Sequence, residues 1–143
     1  MPGDLHTHST FSDGSVPIAR IPAMAARAGL DTLAVSDHDT LRSVRYAQEH
    51  PEQDGVSLIP ATELSAWDGQ RGRRVHLLAY WPQICPAIEG HCARMAQRRN
   101  ADCLRSAQEL AAIYPQFTPD QALAYAQDSG VLFKSCIMQA LMQ

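Results

Sequence analysis

The sequence predicts an α/β fold assembled from parallel βαβ units. Three observations carry that reading. Short apolar runs alternate with stretches of helical period through the N-terminal half. Each apolar run ends on or near a histidine, aspartate or glutamate, as expected where parallel strands deliver side chains to one face. Beyond Trp81-Pro82 the pattern changes to helical segments rich in alanine and arginine. Strand, helix, strand, helix, strand in that order argues for right-handed crossovers.

The elements follow in sequence. Gly3 to Thr7 reads as the first strand. Val16 to Ala28 has helical period at Ile18, Ile21, Met24, Ala25 and Ala28. Pro17 sits near its first turn and Gly29 just past its end, where each residue is favoured. Leu30 to Val35 is the second strand. Thr40 to Glu49 is a short helix with Thr40 as N-cap. Gly55 to Pro60 is the third strand. Glu63 to Ala66 and Arg73 to Tyr80 are two further strands around the turn Trp67-Asp68-Gly69-Gln70. Ile84 to Ile113 is one long helix, with Ile88, Cys92, Met95, Arg99, Cys103, Ala107 and Leu110 at helical spacing. Tyr114-Pro115 stops it. Thr118-Pro119-Asp120-Gln121 opens another with cap, proline, acid and glutamine in favoured order. Gly130 breaks that helix, and a last apolar helix runs from about Leu132 to the end.

Composition narrows the function. The chain has 143 residues, 45% of them apolar, enough for one ordinary core. A net charge of -3 argues against stable binding to duplex nucleic acid. No run is long and apolar enough to span a membrane. The N-terminus lacks a basic start and apolar h-region, and a ligand motif beginning at Asp4 leaves no room for a removable leader. Cys85, Cys92, Cys103 and Cys136 form no CxxC pair and read as free thiols of a reducing cytosol. The expected location is cytoplasmic.

Four motifs carry the chemistry. In Asp4-Leu5-His6-Thr7-His8-Ser9-Thr10-Phe11-Ser12-Asp13-Gly14, the spacing of His6 and His8 puts both imidazoles on one face of an extended strand. Asp13 follows, beside a glycine that permits a sharp turn. Ser36-Asp37-His38-Asp39-Thr40, Ala61-Thr62-Glu63-Leu64-Ser65 and Val75-His76-Leu77-Leu78-Ala79-Tyr80 each end or embed an apolar run with a ligand-type side chain. Imidazole with carboxylate suits zinc, manganese or iron. A lone histidine such as His76 is ordinarily a satisfied core residue; the company of the other motifs makes it a candidate ligand. His50 and His91 lack such a motif and read as surface residues.

In this order the four motifs resemble the PHP (polymerase and histidinol phosphatase) family, most closely its stand-alone phosphoesterase branch, similar to nucleoside 3′,5′-bisphosphate phosphatases. The resemblance implies an incomplete, distorted (β/α)7 barrel of PHP type followed by a helical insertion, with the C-terminal part of the barrel missing. Residues 1–82 would form the N-terminal portion of the barrel and residues 83–143 a truncated helical insertion. It implies two or three divalent cations (Mn2+, Zn2+ or Fe2+). His6 and His8 would hold the first, Glu63 would bridge it to a second held by His76, and Asp13 and His38 would hold the third. A metal-bound hydroxide would be the nucleophile, with no catalytic side chain beyond the ligands. Asp37 and Asp39 flank His38; one would fix an imidazole tautomer from behind the site and the other cap the next helix.

The implied substrate is a small phosphorylated molecule, a nucleotide or the end of a short oligonucleotide. Histidinol phosphate is the alternative substrate, and a truncated, inactive fragment the alternative to an enzyme. Further ligands of the family, another histidine and a late Asp-x-His pair, belong to motifs beyond residue 143, so the isolated chain is expected to turn over nucleotide bisphosphates poorly. Arg71, Arg73 and Arg74 read as a solvated turn, with Arg74 kept as a candidate phosphate contact. Lys134 is a second candidate, because related sequences often place an arginine there to clamp phosphate. They follow it two residues later with a histidine, where this chain has Cys136.

Overall fold

The computed structural model describes residues 2–143. Its N-terminal part is a four-stranded sheet in the order β1-β2-β4-β3, formed by β1 (Gly3–Thr7), β2 (Thr32–Val35), β3 (Glu52–Gln53) and β4 (Val56–Leu58). The three long neighbours β1, β2 and β4 are parallel, and the two-residue β3 closes the edge antiparallel. The α/β reading with parallel βαβ units therefore matches the sheet. The sequence held no expectation of β3, which is too short to leave a periodic signal.

Crossovers run through α1 (Ile21–Arg27) and α2 (Arg42–Glu49). The first is shorter than the expected Val16 to Ala28. A 3-10 turn over Ile18–Arg20 precedes it, and Pro22 takes a first-turn position of α1. A proline lacks the N–H that a continuous helix would need there, so the true start moves to the second proline. Gly29 closes α1 at φ 78, with its N–H on Ala26 O and the Leu30 N–H on Ala25 O, a left-handed helix end. The N-cap of α2 is Leu41 rather than Thr40. Thr40 Oγ1 still accepts from Arg42 N at 3.3 Å.

β5 (Ala61–Asp68) and β6 (Arg73–Tyr80) make an antiparallel hairpin in unbroken register from Ala61↔Tyr80 to Asp68↔Arg73. The turn is Gly69 to Gly72, two residues later than expected. A parallel bridge between His38 and Glu63 ties the start of the hairpin to the chain leaving β2.

The rest is helical: α3 (Pro86–Ile113), α4 (Pro119–Ala124) and α5 (Lys134–Leu141). At 28 residues α3 spans about 42 Å. Its first half packs on α2 through Cys92, Leu41 and Val44. Its second half joins a separate core with Cys103, Ala107, Phe117, Phe133, Cys136 and Ile137. A third core lies against the sheet around Leu33, Val35 and Val56. Burying a residue such as Leu33, 1% exposed, contributes about 1.5–3 kcal/mol. All four cysteines are free. Among the described residues no helix is long and apolar enough to cross a membrane.

Candidate metal centre

The six candidate ligands come from four places in the chain and meet around one buried carboxylate. Glu63, 4% exposed, sits near the start of β5. His6 Nε2 lies 3.0 Å from Glu63 Oε2, His8 Nε2 3.3 Å and His38 Nδ1 3.5 Å from the same oxygen. His76 Nδ1 lies 2.7 Å from Oε1. His76 pairs with Ser65 in the hairpin, so it is the diagonal neighbour of Glu63 on the same face. Asp13 closes the other side, with Oδ1 3.4 Å from His8 Nδ1 and Oδ2 3.6 Å from His38 Nε2.

Local folding explains each placement. β1 carries a register shift between Asp4 and Thr7, where it gains one residue on β2. Such a bulge re-aims side chains at the end of a strand. His8 lies just beyond the strand, yet its ring centroid is 5.2 Å from that of His6. Asp13 returns on a tight loop in which Ser12 N and Gly14 N both donate to Ser9 O. A Cβ on Gly14 would stand 2.5 Å from His8 O, so this glycine is required by close backbone approach.

Asp37 and Asp39 hold backbone and hydroxyls, and neither bonds an imidazole of the centre. Asp37 is fully buried and accepts from Ser9 N at 2.8 Å, Ser9 Oγ at 2.7 Å and Ser12 Oγ at 2.6 Å. It anchors the loop that presents His8 and Asp13. Asp39 accepts from Ser65 N at 2.8 Å, from Ser65 Oγ at 2.7 Å and from Arg99. The expected tautomer-fixing and helix-capping roles give way because these acids point back into the fold, where buried carboxylates need donors.

Three overlapping groups could each hold an ion: His6, His8 and Glu63; His8, Asp13 and His38; His38, Glu63 and His76. Two observations test the fit. His8 Nδ1 and His38 Nδ1 are buried without a hydrogen-bond partner, a costly condition for idle imidazoles. The separations of 3.3–3.6 Å are long for hydrogen bonds. They match two ligands about 2.1 Å from one ion at tetrahedral angles, roughly 3.4 Å apart. The donor set fits a divalent cation.

The charges agree. Burial by itself would raise the carboxyl of Glu63, but hydrogen bonds from His6 and His76 and the charge of His38 outweigh it and hold the group below its ordinary value. Burial pulls His38 below the usual histidine value, against the opposing pull of Asp13 and Glu63. A neutral imidazole and an ionised carboxylate are the forms that bind metal.

Arg74 and Lys134 are exposed. Neither makes a hydrogen bond or ion pair with the candidate ligands among the described residues. His50 is exposed, with its ring stacked on Tyr46. His91 departs from its surface reading: its side chain is 30% exposed, and Nε2 lies 3.5 Å from Asp39 Oδ1. Sequence reasoning also missed Arg99. The available signal was an arginine on the otherwise apolar stripe of α3.

The PHP domain family matches residues 4–82, the stretch that holds all six candidate ligands. The chain belongs to the PHP domain family. This PHP chain is 35% identical over 139 residues to the phosphoribosyl 1,2-cyclic phosphate 1,2-diphosphodiesterase of Eggerthella lenta, covering 96% of this chain and 53% of that protein. It is 32% identical over 102 residues to the 5′-3′ exoribonuclease Rnm of Salmonella typhimurium, covering 68% of this chain and 34% of that enzyme. The chain thus spans about half the length of the first relative and a third of the second. A solved structure from Bifidobacterium adolescentis, named as a metal-dependent phosphoesterase, superposes with a TM-score of 0.82 at 29% identity, over 99% of this chain and 49% of the other. An amidohydrolase structure from Chromobacterium violaceum superposes at 0.83 with 21% identity, again over 99% and 49%, a likeness of fold.

Proposed function

We propose that this PHP chain is the metal-binding part of a phosphoesterase acting on phosphate esters of ribose, as in a nucleotide or the end of an oligonucleotide. The observation that carries the reading is the convergence of His6, His8, Asp13, His38, Glu63 and His76 in overlapping groups around one buried carboxylate. The names of the relatives favour such esters, since they act on a phosphoribosyl cyclic phosphate and on RNA.

His6, His8, Asp13, His38, Glu63 and His76 would hold two or three divalent cations, with manganese, zinc and iron all suited to the donors. Cations held there would supply Lewis acidity toward phosphoryl oxygens and water. The chain's own residues do the positioning. Glu63 lies within reach of four imidazoles and is common to two of the three groups that would hold the ions. Burial disfavours the charged form of His38, and the neutral ring has a lone pair to offer. Asp37 and Asp39 brace the loops behind the ligands. The exposed His6 and His76 leave one side of the centre open to substrate.

The finer architecture is part of the same reading: residues 1–82 as an incomplete PHP barrel and 83–143 as a helical insertion. The four free thiols fit a reducing, cytoplasmic setting.

The test is metal binding together with phosphate release. The purified chain is loaded with manganese and offered a nucleoside 3′,5′-bisphosphate and a phosphoribosyl 1,2-cyclic phosphate. Manganese binding that is lost in His8→Ala and Glu63→Gln, together with whatever hydrolysis the chain shows, supports the proposal. Manganese affinity unchanged in both variants overturns it.

A further inference from the structure

We propose that Arg99 on α3 is a positioning residue for His38, acting through Asp39 and Phe133. The inference rests on reading His38 as a metal ligand. It adds a control point that lies outside the matched residues 4–82.

The first path runs through the backbone. Asp39 follows His38 and has φ 50, a left-handed conformation that a residue with a side chain keeps only where its surroundings impose it. Asp39 N donates to Glu63 O at 2.9 Å, and the carboxylate accepts from Ser65 N, Ser65 Oγ and Arg99 Nη2. The Asp39 side chain is only 2% exposed. So buried a carboxylate needs a counter-charge. Arg99 is the permanent one. His91, 3.5 Å away, contributes charge only when protonated.

The second path runs through a ring. The Arg99 guanidinium carbon lies 4.7 Å from the centroid of Phe133. Phe133 is buried and stacks on the His38 imidazole, with centroids 6.4 Å apart and planes at 28°. One guanidinium therefore bears on both the residue after His38 and the surface against which its ring packs. Arg99 Nη2 also reaches Ser65 Oγ at 3.3 Å, while Nε is buried and unpaired. Both hydrogen bonds leave from Nη2, and the planar guanidinium at the same time lies over Phe133, a face that a lysine's compact ammonium lacks. Without the guanidinium, Asp39 would turn toward water, its left-handed turn would relax and the imidazole would rotate away from Asp13 and Glu63.

The experiment measures manganese binding to the whole chain by calorimetry, with 15N-histidine spectra to follow each ring. His38→Ala should abolish one component of binding. Arg99→Ala should weaken that same component about 10- to 100-fold, the usual effect of losing a group that orients a ligand. The His38 resonances should move in Arg99→Ala while those of His6 stay, and added guanidinium should restore the affinity. Arg98→Ala, exposed on the same helix, should bind as the parent does. If His38→Ala is impaired and Arg99→Ala is not, the positioning role is wrong. If Arg99→Ala shifts all histidines together and weakens every component, the arginine is merely structural and the proposal again fails. Parental binding by His38→Ala would sink the ligand reading instead. Should Arg99→Ala not fold, Arg99→Gln decides: weakened binding at the His38 component supports the role, and parental binding overturns it.

Discussion

Gly14 shows how a single hydrogen atom in place of a side chain shapes the centre. Its Cα faces His8 O, His8 C and Ser9 O so closely that a methyl group would stand 2.5–2.8 Å from all three. These are backbone atoms and cannot swing aside. Gly14→Ala should therefore push the Ser9–Asp13 loop outward, carry Asp13 from His8 and His38, and lower manganese affinity at least 10-fold, as loss of a ligand's support does. Calorimetry would show it. Unaltered affinity would mean that the loop bears no ligand. The glycine and its neighbouring acid were legible in the sequence, but the cause was not: a turn was expected, and the backbone of the loop folds so closely onto His8 and Ser9 that no side chain fits.

At the scale of elements, local chemistry sets helix starts well. Thr118, Pro119 and Gln121 predict the start of α4, and Thr118 N donates to Gln121 Oε1 at 2.7 Å. Gln121→Ala removes that acceptor and should destabilise the helical part by about 0.5–1.5 kcal/mol in denaturant titration. No measurable change would show that water replaces the amide there. Strand ends were less legible. The bulge in β1 depends on pairing with β2, far away in sequence, and pairing of that kind leaves no local trace. The two-residue β3 pairs with its neighbour β4 across Asp54-Gly55 and is too short to show an alternating pattern.

For the whole molecule, the consequence of a shared metal centre is linkage. β1, the loop after β2, β5 and β6 each supply a ligand-type group, so an ion that binds them together binds only the folded chain. At a free manganese concentration of 100 times Kd the fold should gain about 2.7 kcal/mol. For a chain of this size that corresponds to a rise in Tm of roughly 5–15 °C. A chelator should reverse it, and Glu63→Gln should remove most of it. A Tm indifferent to manganese would mean that the six groups do not act as one site.

The sequence by itself determined the class of fold, the family and the six residues offered to a metal, because apolar period, strand-end histidines and caps are local properties written into neighbouring residues. Only the tertiary structure decided that Glu63 is the common neighbour of four imidazoles. It also decided that Asp37 and Asp39 brace loops instead of imidazoles, and that Arg99 reaches from α3 to the residue behind His38. Those facts depend on which buried charge finds which donor once the chain is compact. The cost of leaving a carboxylate or imidazole unpaired arises only when water has been excluded around it.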